Sequence, residues 1–258
     1  MSIEKITIIG GTDKYGNPEP VKEVEIKKGE IVSLVGPTGS GKSCLMSDLD
    51  KLAQRDTITR REILIDGRKP TPEMKNKIKK MVGFITQNMQ FFCNLSVYEF
   101  LKLHAESRGL KFDNSLVEKV LFLANQITGE PINPNLDLTV LSGGQARALM
   151  IADIALISDT PIFLIDELEN AGIVRDKALE VLLKEGKIIL ISTHDPILAL
   201  MGNKRIVFRN GAMTKVIESS NKERVVAKRV ARVDHSLQKL RDFVRNGELI
   251  ESLEGYEL

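Results

Sequence analysis

Soft metal-ligating side chains are scarce in this sequence of 258 residues, which carries two cysteines and three histidines. Cys44 and Cys93 stand far apart and without metal-ligand spacing, so they read as core or surface thiols. Long hydrophobic runs are also missing, and no uninterrupted stretch reaches the roughly 18 residues that cross a bilayer. The opening MSIEKITIIGGTDKYG has acidic and polar residues where a secretory peptide needs a long apolar segment. The expectation is a cytoplasmic chain that reaches the inner face of a membrane only through a partner. An excess of one charge is lacking too: 37 basic residues face 35 acidic ones, so the overall balance gives no reason to propose nucleic acid or an anionic membrane as the main partner. No internal repeat or low-complexity tract occurs. What the chain does have is a 42% hydrophobic share, ample for the core of one large domain or two small ones.

Residues 3–9 and 23–28 alternate apolar and polar, with Gly10, Gly11, Gly16, Asn17 and Pro18 between them, which predicts an antiparallel pair. A buried strand at 31–35 runs into GPTGSGKS, and Leu45, Met46, Leu49 and Leu52 then recur at helical spacing. EILIDG (62–67) and VGFIT (82–86) read as further strands, and Thr71 before Pro72 as a helix start. From about 88 to 150 helical patterns dominate, interrupted by the turn-rich GEPINPNLD, which predicts an inserted helical subdomain. Strand signals return at 161–166 and 187–192 with a short helix between them, and the alternation predicts a mostly parallel, helix-flanked sheet. Beyond Ser219, Val226, Val230, Val233, Leu237, Leu240 and Val244 form one helical seam, opened by a Ser220/Glu223 capping box and stopped at Asn246-Gly247. That helix has a basic opposite face and an acidic tail; it either docks a partner or a second copy, or packs on its own domain.

The chemistry begins in Gly36–Ser43. Its glycines, Gly36, Gly39 and Gly41, together with Pro37, Thr38 and Ser40, form a loop whose N–H groups close on phosphates; Lys42 reaches the β- and γ-phosphates and Ser43 ligates magnesium. LSGGQ (Leu141–Gln145) opens a second helix, about 20 residues before IFLIDE (Ile162–Glu167), an apolar strand ending in two carboxylates. This ordered set resembles the ATP-binding cassette (ABC) family over residues 1 to about 215. The resemblance implies an α/β P-loop fold: a mostly parallel sheet, an N-terminal antiparallel β subdomain, an inserted helical subdomain and a C-terminal helical extension, divided here as 1–218 and 219–258.

The roles it implies attach to matching positions. Asp166 would hold Mg²⁺ through water and Glu167 would be the general base; Gln87 matches the glutamine that senses magnesium, and His194 the histidine that touches the γ-phosphate. Tyr15 stands where an aromatic stacks on adenine, or is a turn tyrosine. Ser142, Gly143, Gly144 and Gln145 would cap the γ-phosphate held by a second copy, so that two ATP molecules are enclosed in a head-to-tail homodimer. His104 and His235 read as structural.

Two departures stand out. After Glu167 the chain reads LENAGIVRD, with Val174 where an aspartate is expected and Asp176 nearby; and IADIAL brings Asp153 to a place where the family commonly has arginine. A compensating Asp153–Arg175 pair would reconcile them. Functionally, the expectation is the ATPase subunit of a membrane transporter; the alternative is a soluble ATPase that remodels another protein or metalloenzyme, and Phe91, Phe92 and Tyr98 offer a docking patch to either client. Glu167 and His194 argue against a pure sensor.

Overall fold

The computed structural model describes residues 3–76, 81–86, 91, 93–128, 130–158, 160–167, 186–250 and 252. In chain order its elements are β1 (Lys5–Ile9), β2 (Glu23–Lys27), β3 (Ile31–Val35), α1 (Lys42–Asp50), β4 (Glu62–Ile65), α2 (Pro72–Asn76), β5 (Val82–Ile85), α3 (Val97–Ser107), α4 (Asn114–Ile127), α5 (Gly143–Asp153), β6 (Ile162–Asp166), β7 (Ile188–Ser192), α6 (Pro196–Met201), β8 (Lys204–Arg209), β9 (Ala212–Glu218) and α7 (Asn221–Arg245). The expected helix between β6 and β7 lies outside the described residues.

The alternation in β1 and β2 gives an antiparallel pair with Ile6 opposite Ile26 and Ile8 opposite Val24, and β4 joins the other edge of β1. The second sheet has six strands in the order β5–β6–β7–β3–β8–β9, parallel except for the last pair. The inner strands are continuously apolar because both faces are covered. In β6 and β7, Phe163, Ile165, Ile189 and Ile191 pack beneath the helical layer of α3, α4 and α5. Their alternates Ile162, Leu164, Ile188 and Leu190 pack on the α1 side, against the three-stranded sheet. At about 1.5–3 kcal/mol per buried aliphatic side chain, this two-sided burial holds the sheet in place.

Capping fixes where the inserted helices start. Ser96 and Glu99 form a reciprocal capping box on α3, Asp113 accepts from Leu116 N–H to cap α4, and Ser142 with Gln145 caps α5. The aromatic patch is not an open surface: Phe91 and Tyr98 are half-buried and stack edge-on against Phe100 and Phe112, with ring centroids 5.2 and 5.4 Å apart. Phe92 lies outside the described residues.

Ser220 and Glu223 cap α7 as expected, and Gly247 follows its end at φ 77°. The helix packs on α6, and four of the six seam residues stay exposed. Val226, Val233, Leu237 and Val244 are 49%, 36%, 38% and 65% exposed, whereas Ala227 is buried. The half-buried Val230, Ala231 and Asp234 share the helix face of Ala227 by their spacing.

Candidate functional site

Three neighbouring strands, β6, β7 and β3, end side by side, and each ends in a candidate residue. After β3 the chain turns through Gly36 (φ 150°), where a Cβ would come within 2.5 Å of the Phe208 carbonyl oxygen. Gly41 (φ 105°) precedes α1 and lies against Gly211, which a Cβ would approach to 2.8 Å. Both positions need glycine for a close backbone approach. No side chain caps α1 and its first turn has no acid, so its first N–H groups and the positive end of its dipole face the loop. Pro37, Thr38, Gly39 and Ser43 are exposed, and among the described residues the buried Ser40 hydroxyl has no hydrogen-bond partner. This terminus is built to receive an anion.

Lys42 is buried within the loop; its Nζ donates to the carbonyls of Gly36 (2.7 Å) and Pro37 (3.2 Å) and lies 3.3 Å from His194 Nε2. The same His194 nitrogen is 3.7 Å from Glu167 Oε1. An ammonium, an imidazole and a carboxylate from three strand ends therefore meet at one point. Glu167 holds a left-handed backbone (φ 53°), with its N–H donating to Ser192 O at 3.0 Å. For a non-glycine residue such a conformation costs of order 1–3 kcal/mol, a strain found at functional positions. Asp166 precedes it, in register with Ser192, whose buried hydroxyl has no partner among the described residues.

Tyr15 occupies the loop between β1 and β2, 69% exposed, with Lys14 Nζ 4.9 Å from its ring centre. Asp13 shapes this turn by accepting from the N–H groups of Tyr15 and Asn17, both at 2.8 Å. Ser142 and Gly143 are exposed at the start of α5, where Ser142 Oγ accepts from Gln145 N–H at 3.2 Å; Gly144 and Gln145 are half-buried, and Gln145 Nε2 donates to Pro131 O at 3.2 Å. Gln87, Val174, Arg175 and Asp176 lie outside the described residues. Asp153 is buried and bonds His104 Nδ1, on α3, at 2.7 Å; the expected pairing with Arg175 lies outside the described residues. The α3 helix packs over it and brings that ring within reach. His235 is exposed on α7.

Two features went unread in the sequence. The β8–β9 hairpin turns at Asn210 and Gly211 (φ 51° and 86°), and its signal was an Asn-Gly pair between two apolar runs. The other is Arg61, fully buried between Glu19 and Asp48. Its only hint was Asp48, an acid in the apolar row of α1.

Residues 22–170 match the family model described as ABC transporter. An uncharacterized ABC transporter ATP-binding protein of Methanocaldococcus jannaschii is 55% identical over 249 residues, covering 96% of this chain and 95% of that protein. The glutamate/aspartate import ATP-binding protein of Escherichia coli K12 is 32% identical over 84% of this chain and 91% of its own. Among solved structures, an ATP-binding cassette dimer in a post-hydrolysis state with ADP and Pi superposes with a TM-score of 0.63 at 27% identity, over 84% of this chain and 99% of that one. These likenesses agree with the phosphate loop and the strand-end carboxylates, and the chain belongs to the ABC transporter family, as an ATP-binding and ATP-hydrolysing subunit.

Proposed function

We propose that this chain is the motor subunit of a transporter in which two copies close head to tail on two Mg-ATP molecules and reopen on hydrolysis, moving a membrane-spanning partner. The observation that carries this reading is the convergence of Lys42, His194 and Glu167 at the mouth of an open helix terminus. Backbone N–H groups of residues 36–43 and the Lys42 ammonium bind the triphosphate, and the exposed ring of Tyr15 stacks on the base. Among the described residues no three His, Cys, Asp or Glu converge as a metal cage. Mg²⁺ needs none, because it is held by one or two protein oxygens together with phosphate and water. The Ser43 hydroxyl and the Asp166 carboxylate fit as such donors, with Gln87 as a third; when bound, the ion neutralises charge on the phosphates.

In this reading Glu167 accepts the proton of the attacking water, His194 donates a hydrogen bond to the γ-phosphate, and Lys42 offsets the charge that develops. Ser142, Gly143, Gly144 and Gln145 of one copy, at the N-terminus of α5, cap the γ-phosphate of the other. Residues 1–218 form the ATPase unit, with the helical subdomain at about 88–150, and 219–258 are an appended segment. Among the described residues no helix is long and apolar enough to cross a membrane, so in this reading any span belongs to the partner.

The Glu167→Gln variant tests this. Turnover should fall by about 10²–10⁴ while ATP binding persists, which traps the closed dimer. Pulled from native extract in magnesium and ATP, the trapped variant should bring a stoichiometric partner with several apolar spans. A soluble client instead would replace transport with the remodelling role.

A further inference from the structure

The buried Arg61 guanidinium binds three partners, each in a different segment of the nucleotide site. Its Nη2 and Nε donate to Glu19 Oε1 and Oε2 at 2.7 and 3.1 Å, its Nη1 to Asp48 Oδ2 at 3.1 Å, and Nη2 also to the Gly211 carbonyl at 2.8 Å. Each contact leads to a different part of the site. Glu19 belongs to the loop that carries Tyr15, and it holds that loop by accepting from Gly11 N–H at 2.8 Å and from Met213 N–H at 2.6 Å. Asp48 is on α1, the helix that starts at Lys42, and Thr59 donates to it at 2.8 Å. Thr59 O in turn accepts from Thr12 N–H at 2.7 Å, on the Tyr15 side. Gly211 N–H donates to Ser40 O in the phosphate loop at 2.9 Å.

We infer that Arg61 is a positioning residue that sets the spacing between the Tyr15 loop and the phosphate loop, and so determines how much the base adds to the grip on the triphosphate. This rests on the reading of Tyr15 as the base platform. Spacing matters because stacking tolerates little misplacement once the phosphates are anchored. The Tyr15 loop also meets the same hairpin without Arg61, through Lys14 N–H to Asn210 O at 3.0 Å and Val21 N–H to Met213 O at 3.2 Å; Arg61 adds the link from that loop to α1. Only a guanidinium fork can serve two carboxylates and a carbonyl together, and a lysine ammonium has the charge without the reach. Burial disfavours the Arg61 charge, but Glu19 and then Asp48 outweigh it and hold its pKa above the ordinary value, so the clamp stays charged throughout the working pH range.

The test compares binding of ATP and of inorganic tripolyphosphate, both in magnesium, to the full chain, to Arg61→Lys, to Tyr15→Ala and to the double variant. Stacking on an aromatic is worth about tenfold in affinity, within the range for one base. Arg61→Lys should weaken ATP by about that factor, leave tripolyphosphate within about twofold, and raise KM while kcat at saturation changes little. The double variant should be no weaker than Tyr15→Ala. Parallel weakening of both ligands, or a lowered Tm with no change in their ratio, would overturn the inference and leave Arg61 a purely structural ion. If Tyr15→Ala keeps the full ATP advantage, the base platform is wrong and the inference falls with it; wild-type turnover then shows whether the ATPase reading survives. Should Arg61→Lys fail to fold, Glu19→Gln keeps the shape of the site, and the same loss of the ATP-to-tripolyphosphate ratio is required of it.

Discussion

Two buried charge clusters on opposite sides of the large sheet differ in how completely they are satisfied. Near the phosphate loop, Arg61 makes four side-chain hydrogen bonds, and Glu19 and Asp48 gain others from Gly11, Met213 and Thr59. Under the helical layer, Asp153 is held by His104 through one oxygen while its Oδ2 has no hydrogen-bond partner among the described residues; Arg108 Nε lies 3.3 Å from His104 Nε2, and its Nη1 donates to Ser158 O at 3.5 Å. Burial pushes the Asp153 carboxyl above the ordinary range, a trend that His104 and Arg108 only reduce. A saturated cluster is costly to break, and a half-satisfied one is costly to keep.

The sharpest way to break the comparison is Arg61→Met, which leaves two buried carboxylates without their cation. It should cost about 3–5 kcal/mol in urea unfolding. A smaller loss, about 1–3 kcal/mol, is expected at neutral pH for His104→Ala, which strands Asp153. The smallest effect should have the opposite sign. Because the folded state raises the Asp153 pKa, ionising this group costs stability as pH rises through its unfolded value, about 3.9, and beyond. Asp153→Asn should therefore match the parent near pH 4 and gain up to about 1 kcal/mol at pH 7. A loss at pH 7 would mean that the Asp153–His104 pair is worth more than its desolvation.

The same contrast shows what was legible beforehand. The phosphate loop, the strand-end acids and the signature helix were readable because each is a contiguous run whose spacing is fixed by local backbone geometry. Strands β3, β5, β6 and β7 were readable from continuous apolar runs, and α3 from its helical pattern. Asp153 drew notice in the sequence, but its partner did not, since His104 is 49 positions away and reaches it only through helix packing. Arg61 and Glu19 are 42 apart, and neither stands in a pattern. On α7 the periodic seam was readable, yet packing left Val226, Val233, Leu237 and Val244 exposed and buried Ala227 instead.

By itself the sequence determined the elements, the glycine-built loop and the identity of the groups at the strand ends, because turns, caps and periodicities are set within a few residues. Only the tertiary structure decided that Lys42, His194 and Glu167 meet at one point, and that Arg61 ties the base-side loop to the phosphate loop. Those contacts depend on strand order and on desolvation. Both are properties of the packed chain, in which a charge finds its partner by burial and not by spacing along the sequence.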